Sequence, residues 1–253
     1  MNPDIQRANM WKRISAAFLD LILLVILITG LALGLSEILN YNAYVTALND
    51  GYAKYEELYG VQFGLDQDAY DQLSKEEQDR YMEASNALDQ DKEVVRAYDM
   101  TITLSLLIIS ISIFLGFLIL EFIVPLLFGN GQTIGKKMFN LALMRTDSVK
   151  LTTFALFVRS MLGKCTIETM VPVLMIMAMF MAPIGMIGPT IIFGILAVNI
   201  GLLVSSRNRA CIHDMMAVTV VIDHSSQMIF ETADDLTEHK KRLAAEEAQR
   251  QEY

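Results

Sequence analysis

The chain has 253 residues, 53% of them hydrophobic, and a formal net charge of -9. A soluble domain of this size is about 45–50% apolar with those residues dispersed. Here they fall in blocks, several long enough to cross a bilayer, which excludes an ordinary soluble domain. The two cysteines, Cys165 and Cys211, sit in no CxxC and beside no histidine-rich set. They read as reduced thiols near the cytoplasmic face, and no structural zinc site of normal spacing can be built from them.

In chain order, residues 1–13 are a short polar start with Arg7, Lys12 and Arg13, and Trp11 fits an interfacial anchor. The apolar run from Ile14 to about Leu35 carries one charge, Asp20. It is longer than the apolar core of a signal peptide and holds a carboxylate, so it reads as a spanning helix, with 1–36 as N-terminus and first span. Residues 37–99 hold 15 acidic and 5 basic residues and several tyrosines. Ser74-Lys75-Glu76-Glu77 reads as a capping box, and no proline stops the helix it opens before Asp99. Tyr41, Tyr44, Tyr52, Tyr55 and Tyr59 fit one face of another helix. Asp66, Asp68 and Asp71 read as a solvated acidic turn, because the glycine and closing glutamate of a calcium loop are missing. Residues 37–100 are thus an acidic, helical, extramembrane loop.

Thr101 to Phe128 reads as the second span, interrupted by Glu121, with Pro125 near its end. Residues 129–166 follow, with Lys136, Lys137, Arg145, Lys150, Arg159 and Lys164 against Asp147 alone. Gly129, Gly131 and Gly135 do not make a phosphate loop, so the stretch reads as a turn into a basic interfacial helix. Residues 167–204 are one apolar block of 38, about 57 Å as a single helix and too long for a core of about 30 Å. Pro183-Ile184-Gly185 and Gly188-Pro189 break it into a third and a fourth span, or a re-entrant hairpin. Residues 205–253 form a cytoplasmic tail. In it Val218–Ile222 is a candidate to pair with Leu141–Thr146 as a small ribbon.

The positive-inside rule orients the bundle. Three basic segments, 1–13, 129–166 and 205–225, lie on one side of four spans, and the acidic loop lies on the other. Both termini are then cytoplasmic, in a cell membrane. On this topology Asp20, Glu121, Asn199 and Glu168 share the cytoplasmic leaflet, above Arg13, Arg159, Arg209 and Asp214. Arg13 and Asp20 are two turns apart on one helix face. Charges placed so deep are costly and normally point at protein or water. They read either as glue between helices, with Arg13 paired to Asp20 or Asp214, or as a cavity that takes a proton or a monovalent cation.

Three separated motifs carry a family likeness. The Arg13…Asp20 helix start, GQTIGKK (131–137) followed by LALMRTD, and RACIHDMMAVTVV (209–221) resemble the RDD family of membrane proteins. Arg13, Asp20 and Asp214 match its arginine and two aspartates, and His213-Asp214 its usual His-Asp pair, within a domain of about 7–223. The 60-residue acidic loop and the tail beyond 225 depart from a minimal member. The resemblance implies an all-α membrane protein, a four-helix transmembrane bundle. Some members look like cation/proton antiporters, and others appear only as membrane-associated neighbours of unrelated systems. Two functions follow as expectations: a proton or monovalent-cation transporter, oligomeric because four helices make a thin wall, or a non-catalytic scaffold that docks other membrane subunits. No nucleophile–base set, metal motif or dinucleotide fingerprint supports an enzyme or a cofactor, and no basic surface supports nucleic-acid binding.

Overall fold

A computed structural model describes residue 5 and residues 8–181, 185–206 and 209–251. Arg7, Arg207 and the Pro183-Ile184 half of the expected turn lie outside them. The chain divides into two compact units, residues 29–112 and residues 1–28 with 113–253. Four helices are long and apolar enough to cross a membrane: Met10–Ile38, Lys92–Phe128, Thr153–Met179 and Ile187–Ser205. The protein is an all-α membrane protein with one small ribbon, and its spans place it in a lipid bilayer.

α1 (Met10–Ile38) is the first span. Residues 29–112 then hold α2 (Tyr41–Tyr59), α3 (Gln67–Asp71), α4 (Lys75–Gln90) and the first part of α5 (Lys92–Phe117). All five tyrosines of the expected face fall in α2. Tyr52, Phe63, Tyr81 and Tyr70 meet edge to face at 5.3–5.6 Å between centroids, the packing that ring quadrupoles favour. Ser74 and Glu77 form the reciprocal capping box. Asp66 caps α3, accepting from the Ala69 amide, so the acidic turn is a helix start. The helix opened at Ser74 does not run on into the second span. It stops at Gln90, and Asp91 turns extended and caps α5 by accepting from the Glu93 and Val94 amides. The Asp91 side chain offered a cap that outcompeted one long helix. The helix that carries the second span therefore begins at Lys92.

In the other unit the second and third spans carry π-helical turns. Leu118–Ile123 interrupts the second span before α6 (Val124–Phe128). The third span opens as α8 (Thr153–Phe157), continues as a π segment over Val158–Met170 and ends as α9 (Val171–Met181). Each π segment is followed by Val-Pro, at 124–125 and 171–172. A proline inside a helix removes an amide and crowds the carbonyl four residues earlier, and a wider turn relieves both. The helix that carries the third span thus starts at Thr153, and Arg159 and Lys164, expected on an interfacial helix, lie on it. α10 (Ile187–Ser205) is the fourth span, with Pro189 in its first turn, where a missing amide costs nothing.

Between the second and third spans, α7 (Ile134–Met138) leads into β1 (Leu141–Arg145). After the fourth span, α11 (Ile212–Met216) leads into β2 (Thr219–Asp223), and α12 (Ala233–Gln251) follows. β1 and β2 pair antiparallel, Leu141 opposite Asp223 and Arg145 opposite Thr219. The expected ribbon forms one residue later than its apolar run, because Val218 takes a left-handed turn (φ 54°) out of α11. Leu141, Leu143 and Val221 face Ala8, Ala16 and Leu156, while Ala142, Met144, Val220 and Ile222 pack on the opposite face. The ribbon is therefore buried on both sides.

Gly163 lies against α11. A Cβ there would stand 2.5 Å from the His213 Cβ and 2.7 Å from its Cα. Gly163→Ala should destabilise by about 1–3 kcal/mol through overpacking. Gly194→Ala, with nothing within 4 Å of the new methyl, should be neutral or mildly stabilising. Melting of both purified variants in detergent checks the contrast.

Candidate functional site

The short helix α11 carries the centre of the site. Asp214 is 1% exposed, and its Oδ1 accepts from the Arg159 Nε at 2.9 Å, with the Arg159 Nη2 at 2.8 Å. The Arg13 Nη2 stands 3.6 Å from the Asp214 Oδ2, while its Nη1 donates to the Arg209 carbonyl at 2.8 Å. Arg13 thus pairs with Asp214 and not with Asp20. Burial alone would raise the Asp214 carboxyl pKa, but Arg159, His213 and Arg13 together hold it well below the usual carboxylate range. His213, next in chain, has Nδ1 2.8 Å from the Glu168 Oε2, and its amide donates to the Glu168 Oε1 at 3.1 Å. Burial, then the Arg159 charge, lowers its pKa, against the opposing pull of Asp214 and Glu168. Glu168 was expected at the mouth of the third span. It lies inside that helix, held by α11.

A second cluster surrounds α7. Its cap Thr133 donates to the Asp20 Oδ2 at 2.5 Å, and the Gly135 amide donates to the Asp20 Oδ1 at 2.7 Å. A Cβ on Gly135 would stand 2.3 Å from the Ala16 carbonyl oxygen, so this close approach of α7 to α1 needs glycine. Lys136 is buried, and its Nζ donates to the Thr133 Oγ1 at 3.1 Å. Among the described residues no carboxylate oxygen lies within ion-pair distance of that ammonium. Burial pushes the Lys136 pKa down to about 8, against the opposing pull of Glu121. Glu121 itself pairs with Lys164 of the third span. Its Oε2 is buried and has no hydrogen-bond partner among the described residues.

The four polar residues expected to share one site therefore have separate partners. Asp20 is bonded by α7, Glu121 by Lys164, Glu168 by His213, and the Asn199 Oδ1 accepts from the Ile212 amide at 3.1 Å. Of the four, Asp20 lines the cavity of about 170 Å³ in this unit, together with Arg13, Lys136, Arg159, Lys164 and His213. Arg209 is exposed and enters the network through its carbonyl. Lys136 and Lys164 carry roles that counting charge did not reveal. The available signal was the Thr133-x-x-Lys136 cap and an excess of cations facing a span whose own charge is Glu121.

Cys211, His213 and Asp214 bring a thiol, an imidazole and a carboxylate within 4.8 Å of one another. Two arginines already hold the carboxylate. Burial, with Asp214 and Glu168 nearby, raises the Cys211 thiol to about 11. This is an ion network rather than a cation's ligand set.

Several apolar spans with a buried charge network at one end define a multi-pass membrane protein. The family model of the RDD family matches residues 7–218, and the chain belongs to that family. No curated protein and no solved structure matches it.

Two measurements follow. Asp214→Asn leaves Arg159 and Arg13 facing a neutral amide in a buried site and should cost about 3–5 kcal/mol, read by melting in detergent. Lys136 should titrate near 8 in the folded protein but near 10.4 unfolded. Between those values the unfolded chain holds more protons, so folding stability rises with pH. Wild type should therefore gain on Lys136→Gln as pH is raised from about 7 to about 10, by up to roughly 3 kcal/mol.

Proposed function

We propose that this non-enzymatic bundle exchanges a proton for a monovalent cation, with Lys136 as the proton site. The observation that carries the reading is the buried Lys136 ammonium without a carboxylate at ion-pair distance, on the wall of the cavity that also holds Asp20. Charge bookkeeping supports it. With Lys136 protonated and His213 neutral, Arg13, Lys136, Arg159 and Lys164 balance Asp20, Glu121, Glu168 and Asp214. Loss of the Lys136 proton leaves one excess negative charge, which one monovalent cation restores. The spare Glu121 Oε2 is an oxygen suited to receive it. The positive-inside rule supports a cell-membrane protein with both termini and this network on the cytoplasmic side, and the acidic residues 37–100 outside. Four spans make a thin wall for such a path, which favours a homo-oligomer.

The second reading is a membrane scaffold. The observation that favours it is that each expected site residue is already bonded across elements, which is what helix glue requires.

Proton and sodium or potassium flux in proteoliposomes separates the two. Exchange in the wild type, rising as pH passes through about 8 and lost in Lys136→Gln and Glu121→Gln with melting intact, is the expected result. Flux unchanged in Lys136→Gln removes the lysine from the mechanism. Absence of flux in the folded wild type leaves the scaffold reading.

A further inference from the structure

Residues 29–112 form a compact unit with a hollow of its own, about 490 Å³ in volume, between α2 and the turn from α4 into α5. Its walls are fixed. Gly51 lets α2 approach α5, since a Cβ there would stand 2.6 Å from the Val94 Cγ2. Asp91, in the turn, accepts from the Lys54 ammonium at 3.3 Å and from the Tyr55 hydroxyl at 3.1 Å, both of α2. The Tyr52 ring is held edge to face against Phe63. Leu48, Leu88, Val94 and Val95 give the hollow an apolar floor, and Tyr52, Tyr98 and Asp89 complete it. Asp89 and Tyr98 are exposed. Among the described residues, neither tyrosine hydroxyl nor the Asp89 carboxylate has a hydrogen-bond or ion-pair partner. Lys92 and Arg96 line an adjoining hollow with Asp99, and neither reaches Asp89 at ion-pair distance. Burial, then the nearby Tyr98 and Asp89, raises the Tyr52 pKa, which marks the three groups as electrostatic neighbours.

An apolar hollow with one unpaired carboxylate and two free phenols matches a ligand with a positive head and an apolar body. A primary ammonium brings three donors and no acceptor, and each of the three polar groups can accept. We infer that this hollow binds a small primary amine, its ammonium held by Asp89, Tyr52 and Tyr98 and its apolar body resting on Leu48, Leu88, Val94 and Val95. The volume fits, since small-molecule sites run from about 300 to about 1,000 Å³ and are mostly apolar with a few placed polar groups. The charge fits as well. Residues 37–99 hold 15 acidic residues against 5 basic ones, so the field around the hollow draws cations. No existing ion pair has to break for Asp89 to meet the ligand. This inference concerns residues 29–112 alone and stands apart from the exchange reading, since it requires binding and no flux.

The test is titration calorimetry on the full chain in phosphatidylcholine nanodiscs, with empty discs as the blank. Phenethylammonium is the probe. Phenethyl alcohol carries a similar body without the charge, and hydrocinnamate carries the opposite charge. One saturable phenethylammonium site per chain is expected, with the alcohol at least about tenfold weaker and the anion unbound. Asp89→Asn removes the charge at an exposed position and should weaken binding by about 10- to 100-fold with melting unchanged, as expected for a hydrogen bond to a charged group. Tyr98→Phe keeps the ring, should weaken binding by about 2- to 10-fold, and decides alone if Asp89→Asn melts lower. Asp99→Asn removes the same charge from the adjoining hollow only and should bind as wild type. Absence of saturable binding, equal affinity for the alcohol, unchanged affinity in the folded Asp89 and Tyr98 variants, or an equal loss in Asp99→Asn would each overturn the inference.

Discussion

A carboxylate buried to 1% exposure cannot remain charged without partners, and Asp214 has two arginines from two spans. Taking such a charge out of water costs several kcal/mol, and the cost is recovered only with good geometry and further hydrogen bonds. Arg159 supplies two contacts near 2.8–2.9 Å, and the Cys211 amide and Thr219 hydroxyl supply more. Arg13 reaches the other oxygen and also ties the Arg209 carbonyl. One side chain on a five-residue helix thereby joins the first span, the third span and the start of β2. The buried ribbon is held to the bundle through this point, and the remaining polar contacts are arranged around it.

The third span shows how a helix with Arg159, Lys164 and Glu168 can lie among apolar spans. Each charge has a named partner on another element: Asp214, Glu121 and His213. The π register over Val158–Met170 holds all three, and the shorter one over Leu118–Ile123 holds Glu121. Widened turns place side chains at angles an α-helix does not offer, and they recur at functional sites. Here both lie just ahead of a Val-Pro pair, so a local steric demand and the site's geometry coincide.

Lys136 differs from its neighbours. It is as buried as they are, yet its nearest polar contact is the Thr133 hydroxyl. Thr133 in turn donates to Asp20, so ammonium, hydroxyl and carboxylate form a chain along the cavity wall. The cavity wall therefore carries the Lys136 ammonium, which has no carboxylate at ion-pair distance among the described residues.

Much of the architecture was legible from the chain alone. Blocks of apolar residues dictate spans because the bilayer leaves backbone groups no partner but a helix. The capping box at Ser74, the tyrosine face of α2 and the β-branched run before Asp223 are local signals, and each acts within a few residues of itself. The three RDD motifs are also local, which is why Arg13, Asp20 and Asp214 could be picked out. Their partners could not. Whether Arg13 meets Asp20 or Asp214, that Lys164 answers Glu121, and that Asp20 is taken by Thr133 and Gly135 are contacts between residues 43 to 201 positions apart. That Arg159 and Lys164 lie on the helix of the third span goes with the same pairings, since hydropathy counts them as surface charges until their carboxylates are brought to them. Composition and spacing thus determined the apolar spans and the residues under charge stress, and the motifs' resemblance pointed to the family. Tertiary structure alone decided which of those charges cancel, and that Lys136 has no carboxylate at ion-pair distance among the described residues.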